Sequence, residues 1–314
     1  MFSVGSLCTG YGGLEMGLQA VYGDIDVRFV SDIDKDASTL LAHHHPDVPN
    51  LGDLTVVDWA DIKPVDVLCA GYPCQPFSLT GRRKGFEDER AIFEYIADAI
   101  SVLQPRNVLL ENVAGHLTLG GTAVIATLAK LGYSSRWGIV RASDAASPHK
   151  RARLFIWCEI TDASSITGWT GHFKATQQRQ TQEWCTGQFQ PCGSSCINAY
   201  TKSGNATNKK QYSMETTTRQ TAESGECDCA FGQWQPAIER WAEVLGRQAP
   251  QPQHGKGVSA DFVEWMMGLP EGYVTDIGLS RQAQLKILGN GVVPQQAALA
   301  LQLLAEGGYY AKTA

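Results

Sequence analysis

No apolar stretch of the 314-residue chain approaches the roughly 18 uninterrupted residues that a membrane-spanning helix needs. The opening Met1-Phe2-Ser3-Val4-Gly5 lacks the charged n-region of a secretory signal, so a soluble, cytoplasmic protein without a membrane partner is expected. No segment repeats internally. Positive charge is in short supply: 26 Lys and Arg face 32 Asp and Glu, a net charge of -6. That balance is awkward for a nucleic-acid partner, because phosphate binding draws on local Lys and Arg. It still leaves room for a local basic patch, with Arg82-Arg83-Lys84 and Lys209-Lys210 as candidates beside the simpler reading of solvated charge. The 9 cysteines are odd in number and follow no secretory signal, which favours a reducing compartment over a disulfide framework. Cys185, Cys192, Cys196, Cys227 and Cys229 cluster, but without the Cys-x-x-Cys spacing of a structural zinc site, so no metal is expected.

What is present is an alternation of strands and helices. Phe2 to Cys8 is strand-like, a glycine turn follows at Gly10-Tyr11-Gly12-Gly13, and Leu14 to Tyr22 carries Leu14, Leu18 and Val21 on one helical face. Val27 to Val30, 65 to 70, Arg106 to Leu110 and Leu154 to Cys158 read as further strands. Helices are expected from Asp36 to about His43, from Ala91 to Leu103 just ahead of Pro105, and from Thr122 to Leu131. The pattern predicts an α/β fold, a Rossmann-like domain with a mostly parallel sheet and helices on both faces. From about Thr161 the composition turns to Thr, Gln, Ser and Gly without sustained periodicity, and helical spacing returns around Phe262 to Met267 and Pro294 to Ala305. The expected organisation is therefore a catalytic domain over 1–160, a small loop-rich domain over 161–255, and a segment over 256–314 that completes the first domain.

Chemistry-bearing residues fall at the carboxyl ends of the predicted strands, where open α/β sheets bind ligands. The glycine turn follows the first strand, Asp32 and Asp34 the second, Cys74 of "GYPCQPFS" the third, and Glu111-Asn112-Val113 the next. A glycine turn opening a helix suits an anionic or zwitterionic ligand, and an acid after the following strand suits ribose hydroxyls. Taken singly, each has a plainer reading: a structural turn, a helix-capping aspartate, a buried inert cysteine. Together they describe a nucleoside cofactor beside a thiol and a carboxylate.

Eight motifs lie in order along the chain: "TGYGG" at 9–13, "SDID" at 31–34, "GDLT" at 52–55, "GYPCQPFS" at 71–78, "KGFEDER" at 84–90, "LLENV" at 109–113, "PHKRARLF" at 148–155 and "LGNGVVPQ" at 288–295. In this the sequence resembles the DNA cytosine C5-methyltransferases, a bacterial and phage family, everywhere except about 161–255, where that family keeps its variable target-recognition domain. The resemblance implies an S-adenosylmethionine-dependent enzyme that methylates carbon 5 of a flipped cytosine in double-stranded DNA, acting as a monomer; whether it is paired with a cognate restriction endonuclease, carried by a phage or stands alone is left open by the sequence. It makes Cys74 the thiolate that adds to carbon 6, Glu111 the carboxyl group at N3, Arg153 the residue holding O2, and Arg151 a neighbour of thiol and backbone. For the cofactor it implies the turn Thr9, Gly10, Tyr11, Gly12, Gly13 and Leu14, Asp32 on the ribose, Ile33 on the adenine and Asp53 on its amino group. Leu54 and Pro73 belong to the same site, and Asn290 and Val292 close its methionine end. Asp34 is left out as a helix cap. The stretch Ser78 to Arg90, with Arg82, Arg83 and Lys84 and with Gln75 in its stem, is expected to close over the flipped base. Two departures stand out: Ser6-Leu7-Cys8 replaces the family's usual Asp-Leu-Phe, and His149 its usual Gln.

Three other readings compete. An RNA (tRNA) cytosine C5-methyltransferase would share the Pro-Cys-Gln and Glu-Asn-Val motifs. A nicotinamide or flavin oxidoreductase would use the glycine turn and Asp32 but leave Cys74, Glu111 and the Arg pair without a role. A catalytically idle DNA-binding module would not need Cys74, Glu111 or Arg153.

Overall fold

The computed structural model describes residues 1–73, 85–161, 231–254 and 257–305, with backbone alone over 85–91. Its centre is a six-stranded sheet in the order β2-β1-β3-β4-β6-β5. The strands are β1 (Phe2–Leu7), β2 (Ile25–Ser31), β3 (Val67–Gly71), β4 (Asn107–Val113), β5 (Tyr133–Arg141) and β6 (Ala152–Ile160). β1 to β4 pair in parallel, and β6 alone runs against the others, antiparallel to both β4 and β5. A mostly parallel sheet is thus what forms.

The inner strands β1, β3, β4 and β6 are buried on both faces, and the side-chain period of two sorts their residues cleanly. Leu68 and Ala70 of β3, Val108 and Leu110 of β4 and Ile156 and Cys158 of β6 enter one core cluster. That cluster lies under α3 (Gly85–Leu103) and α4 (Thr122–Lys130), which contribute Ile96, Ile100 and Leu128. Val67 and Cys69, Leu109, and Phe155 and Trp157 point the other way, toward α1 (Gly13–Tyr22) and a C-terminal helix (Pro294–Ala305) that supply Leu18 and Leu301. The helix Pro294–Ala305 thus packs with α1 on one face of the sheet.

Four elements differ from the sequence expectation. The sequence reading does not include β5, an edge strand whose first half is polar at Ser134, Ser135 and Arg136 and whose apolar run is confined to Trp137 to Val140. α3 begins at Gly85 instead of Ala91, so the stretch Ser78 to Arg90, expected to close over the flipped base, is helical from Gly85 onward. α5 (Gln235–Leu245) lies inside the stretch that showed no periodicity, and its Trp241 is fully buried with the indole N–H donating to the Trp265 carbonyl at 2.9 Å. Trp265 belongs to α6 (Ala260–Met266), and this third cluster also takes in Leu288 of α7 (Arg281–Asn290), a helix likewise not anticipated. α8 is the helix Pro294–Ala305, opened by Pro294 as expected. A short antiparallel pair, β7 (Gln253–His254) and β8 (Gly257–Val258), precedes α6.

Candidate active site

The turn after β1 is built from residues forced into the left-handed region, Cys8 at φ 51°, Gly10 at 60° and Gly12 at 86°. Gly12 is the N-cap of α1 and needs its missing Cβ to sit there. Thr9 ties the turn to the sheet: its hydroxyl reaches Ser6 Oγ at 3.0 Å, and the Ser31 N–H donates to it at 3.3 Å. This places the Gly10 N–H 2.8 Å from Asp32 Oδ2, while the Asp34 N–H donates to Oδ1 at 2.9 Å. The Asp32 carboxylate is thereby aimed across the end of the sheet, with its own N–H anchored on Asn50 Oδ1 at 3.0 Å.

A cavity of about 410 Å³ opens there. Of the residues expected in a cofactor site, Thr9, Gly10, Gly13, Leu14, Asp32, Ile33, Asp53, Leu54, Pro73, Asn290 and Val292 line it, as do Glu111 and Arg153. Tyr11, Gly12 and Arg151 stand behind the wall. Tyr11 is fully buried, its hydroxyl donates to the Val292 carbonyl at 2.7 Å, and Gly291 approaches its ring so closely that a Cβ there would clash with Tyr11 Cε1. Asp53 is exposed at the rim and accepts from the Thr55 N–H at 2.9 Å and the Thr55 hydroxyl at 2.7 Å, which hold its carboxyl below the usual range. Ile33, 72% exposed, presents apolar surface at the same rim. A concave site with a hydroxyl-seeking carboxylate, an uncovered aliphatic side chain and a second rim acid fits a nucleoside.

Glu111, near the end of β4, is 6% exposed. Its Oε1 lies 2.9 Å from Arg153 Nε. Burial pushes its carboxyl up to about 7, against the opposing pull of the Arg153 and Arg151 charges. Arg151 takes a left-handed backbone at φ 32° and turns its guanidinium onto the carbonyls of Gly289, at 2.8 Å, and Gly291, at 2.5 Å. It clamps the loop that carries Asn290 and Val292 against β6. His149 accepts or donates at Nδ1 with the Ser147 hydroxyl, 2.6 Å away, and burial together with the two arginines pushes its imidazole down to about 4.

Several lining residues were not named from the sequence as site residues: Ser6, Cys8, Glu15, Asn112 and Lys286. Glu15 could have been noticed as an acid next to Leu14 and three places before Leu18, on the edge of an apolar helical face. Lys286 ion-pairs with Asp34, whose carboxyl also caps α2 (Lys35–His44) through the Asp36 and Ala37 N–H groups at 3.0 and 3.1 Å. Asp34 is thus both a helix cap and a lining residue. Cys8 is half-buried, and burial beside Asp32 pushes its thiol up to about 12. Cys74, Gln75, Ser78, Arg82, Arg83 and Lys84 lie outside the described residues, as do Lys209, Lys210 and the cysteines from 185 to 229. Among the described residues no group of His, Cys, Asp and Glu could hold a metal ion, and no helix is long and apolar enough to cross a membrane.

The model of the C-5 cytosine-specific DNA methylase family matches residues 2–303. The chain is 36% identical over 162 residues to the type II methyltransferase M.NlaX of Neisseria lactamica, covering 50% of this chain and 51% of that protein. It is 38% identical over 161 residues to M.NgoBI of Neisseria gonorrhoeae, covering 50% of each. The aligned stretch thus spans about half the length of the curated relatives it matches. Among solved structures, Dnmt2 methyltransferase of S. pombe superposes with a TM-score of 0.60 over 98% of this chain and 99% of that one, at 18% identity.

Proposed function

The chain belongs to the C-5 cytosine-specific DNA methylase family, and from that premise we propose that it methylates carbon 5 of a cytosine within a specific sequence of double-stranded DNA. S-adenosylmethionine, when bound, supplies the electrophilic methyl group. Asp32 would take the ribose: each of its oxygens already accepts one backbone N–H, and a carboxylate has capacity for further donors. Ile33 would cover the adenine face, Asp53 and Leu54 would border its edge, and Asn290 and Val292, held by Tyr11 and Arg151, would close the opposite end.

The observation that carries the reading is Glu111, a buried carboxyl group bordering the same cavity with its ionisation poised at about 7. A group so poised can hold a proton at neutral pH and present it to cytosine N3, offsetting the charge that appears on the ring when a nucleophile adds at carbon 6. Cys74 is the proposed nucleophile. Arg153, fixed by Glu111, would orient that carboxyl group and meet the cytosine O2. Arg151 is a positioning residue through its hold on Gly289 and Gly291. The basic stretch Arg82-Arg83-Lys84, together with Gln75 and Ser78, would close on the flipped base ahead of α3.

Target choice is assigned to the polar stretch 161–255, chiefly the part before α5. We take the enzyme to be a cytoplasmic monomer; the type II names of its relatives support pairing with a cognate restriction endonuclease over a phage-borne or stand-alone enzyme. The matching family model is one of DNA methylases, which speaks against the RNA alternative; the likeness to Dnmt2 concerns the fold alone.

Bisulfite sequencing of DNA from cells expressing the protein tests the proposal. Protected cytosines at one short recurrent sequence are expected. Uniform conversion of DNA, or protection in RNA alone, would refute it.

A further inference from the structure

A carboxyl group with no assigned role sits at the inner end of the cavity. Glu15, in the first turn of α1, is 8% exposed and lines the site beside Ser6, Thr9 and Gly13. Its neighbours supply only weak or neutral donors: Cys69 Sγ at 3.7 Å from Oε1, and the Ser6 hydroxyl. The cavity also holds Asp32, Asp34, Asp53 and Glu111, against two cations, Arg153 and Lys286. Those cations are committed, Arg153 to Glu111 and Lys286 to Asp34. Asp32 and Asp53 lie toward the mouth, where water can solvate them. Among the described residues, Glu15 is the buried acid of this cavity without a cation in an ion pair. A buried carboxylate left in that state costs several kcal/mol, and it responds by holding its proton until a positive partner arrives. Burial does push the Glu15 carboxyl up from its ordinary range.

We propose that Glu15 is the receptor for the α-ammonium group of the cofactor's methionine moiety. This rests on the cofactor reading given above. The ligand is cationic at two places, the sulfonium and the ammonium, and the donor inventory separates them. An ammonium carries three N–H donors, and the acceptors gathered here, the Glu15 carboxylate with the hydroxyls of Ser6 and Thr9, can take them. A sulfonium has no N–H or O–H to give. The N-terminus of α1 further favours negative charge on Glu15 once its proton is gone. Ser6 stands where the resembled family usually has an aspartate, so in this chain the acid next to that position comes from the helix.

The test is titration calorimetry of the full chain with three adenosine ligands: S-adenosylmethionine, S-adenosylhomocysteine and 5′-methylthioadenosine, which lacks the amino-acid part. Glu15→Gln should weaken the first two by the same factor, at least about tenfold, and leave the third unchanged; Glu15→Asp should retain most of the affinity. Equal binding of all ligands by wild type and Glu15→Gln overturns the proposal. So does an equal loss of all three, which marks a structural role, or a loss confined to S-adenosylmethionine, which marks the sulfonium. If Glu15→Gln does not fold, the wild type decides: a des-amino analogue of S-adenosylhomocysteine must bind at least tenfold more weakly than the parent, and equal affinity refutes the assignment. Failure of the wild type to bind any of the three would instead remove the cofactor reading itself.

Discussion

Arg153 reaches diagonally across the antiparallel β4–β6 ladder to Glu111: it is paired in register with Val113, yet its Nε comes within 2.9 Å of the Glu111 carboxylate. The contact couples the two groups named for the base, and it does so in a setting where burial outweighs the nearby positive charge.

That setting has a pH signature. With its folded ionisation raised to about 7 from an ordinary 4.5, Glu111 binds its proton more tightly in the folded chain than in the unfolded one. Its contribution to stability is present below the unfolded value and is lost as pH rises through about 7. Glu111→Gln should therefore melt with a shallower loss of Tm than wild type between about pH 4.5 and 7. Parallel melting curves across that window would show that the carboxyl group ionises normally.

His149 should behave in the opposite sense. Its folded ionisation is lowered to about 4, so the unfolded chain binds the proton more tightly and stability falls as pH drops from about 6.5 toward 4. His149→Gln removes that term, and the variant should gain on wild type in Tm progressively over this interval. An unchanged difference at all pH values would place His149 in a solvated environment.

Gly291→Ala tests the wall behind the cofactor end. A Cβ at 291 meets the buried Tyr11 ring, so the ring must leave its bond to the Val292 carbonyl. Overpacking of this kind costs about 1–3 kcal/mol. Chemical denaturation should register that loss together with weaker S-adenosylmethionine binding; a neutral variant would mean that the Tyr11 contact is dispensable.

Sequence choice should move with residues 162–230 alone. Exchanging that segment for the matching part of a relative, with α5 kept, should redirect methylation to another cytosine, because the α5 core residue Trp241 belongs to the packing around Trp265. A folded, active chimaera that keeps the original target would move recognition elsewhere.

The parts of this molecule that announce themselves in the sequence are those fixed by local rules. The glycine turn needs positive φ at Gly10 and Gly12, the buried strands need apolar residues on both faces, and Pro294 can open α8 but not sit inside it. These features pointed to the sheet end where Thr9, Gly10, Gly13, Leu14 and Asp32 line the cavity, while Ile33, Asp53, Asn290 and Val292 came from the family resemblance. What stayed hidden depends on tertiary neighbours. β5 lies at the sheet edge, pairs only with β6 among the described strands, and opens on polar residues, so only its Trp137 to Val140 run marks it. Glu15 reads as a solvent-facing helix acid until α1 docks and carries it inward. Arg151 matched a family position, but its grip on two carbonyls of a loop almost 140 residues away, Gly289 and Gly291, is a consequence of folding.

The nucleophile is the most direct test of the proposed function. If the Cys74 thiolate adds to carbon 6 of cytosine, release requires abstraction of the proton at carbon 5, and fluorine at that position cannot leave in its place. DNA carrying 5-fluorocytosine at the target, incubated with the protein and S-adenosylmethionine, should accumulate as a covalent complex that survives a denaturing gel. Peptide mapping should locate the bond at Cys74, and Cys74→Ser should abolish it, because a serine hydroxyl is a far weaker nucleophile near neutral pH. A complex that persists in Cys74→Ser, or that maps to Cys8 or Cys69, would contradict the account.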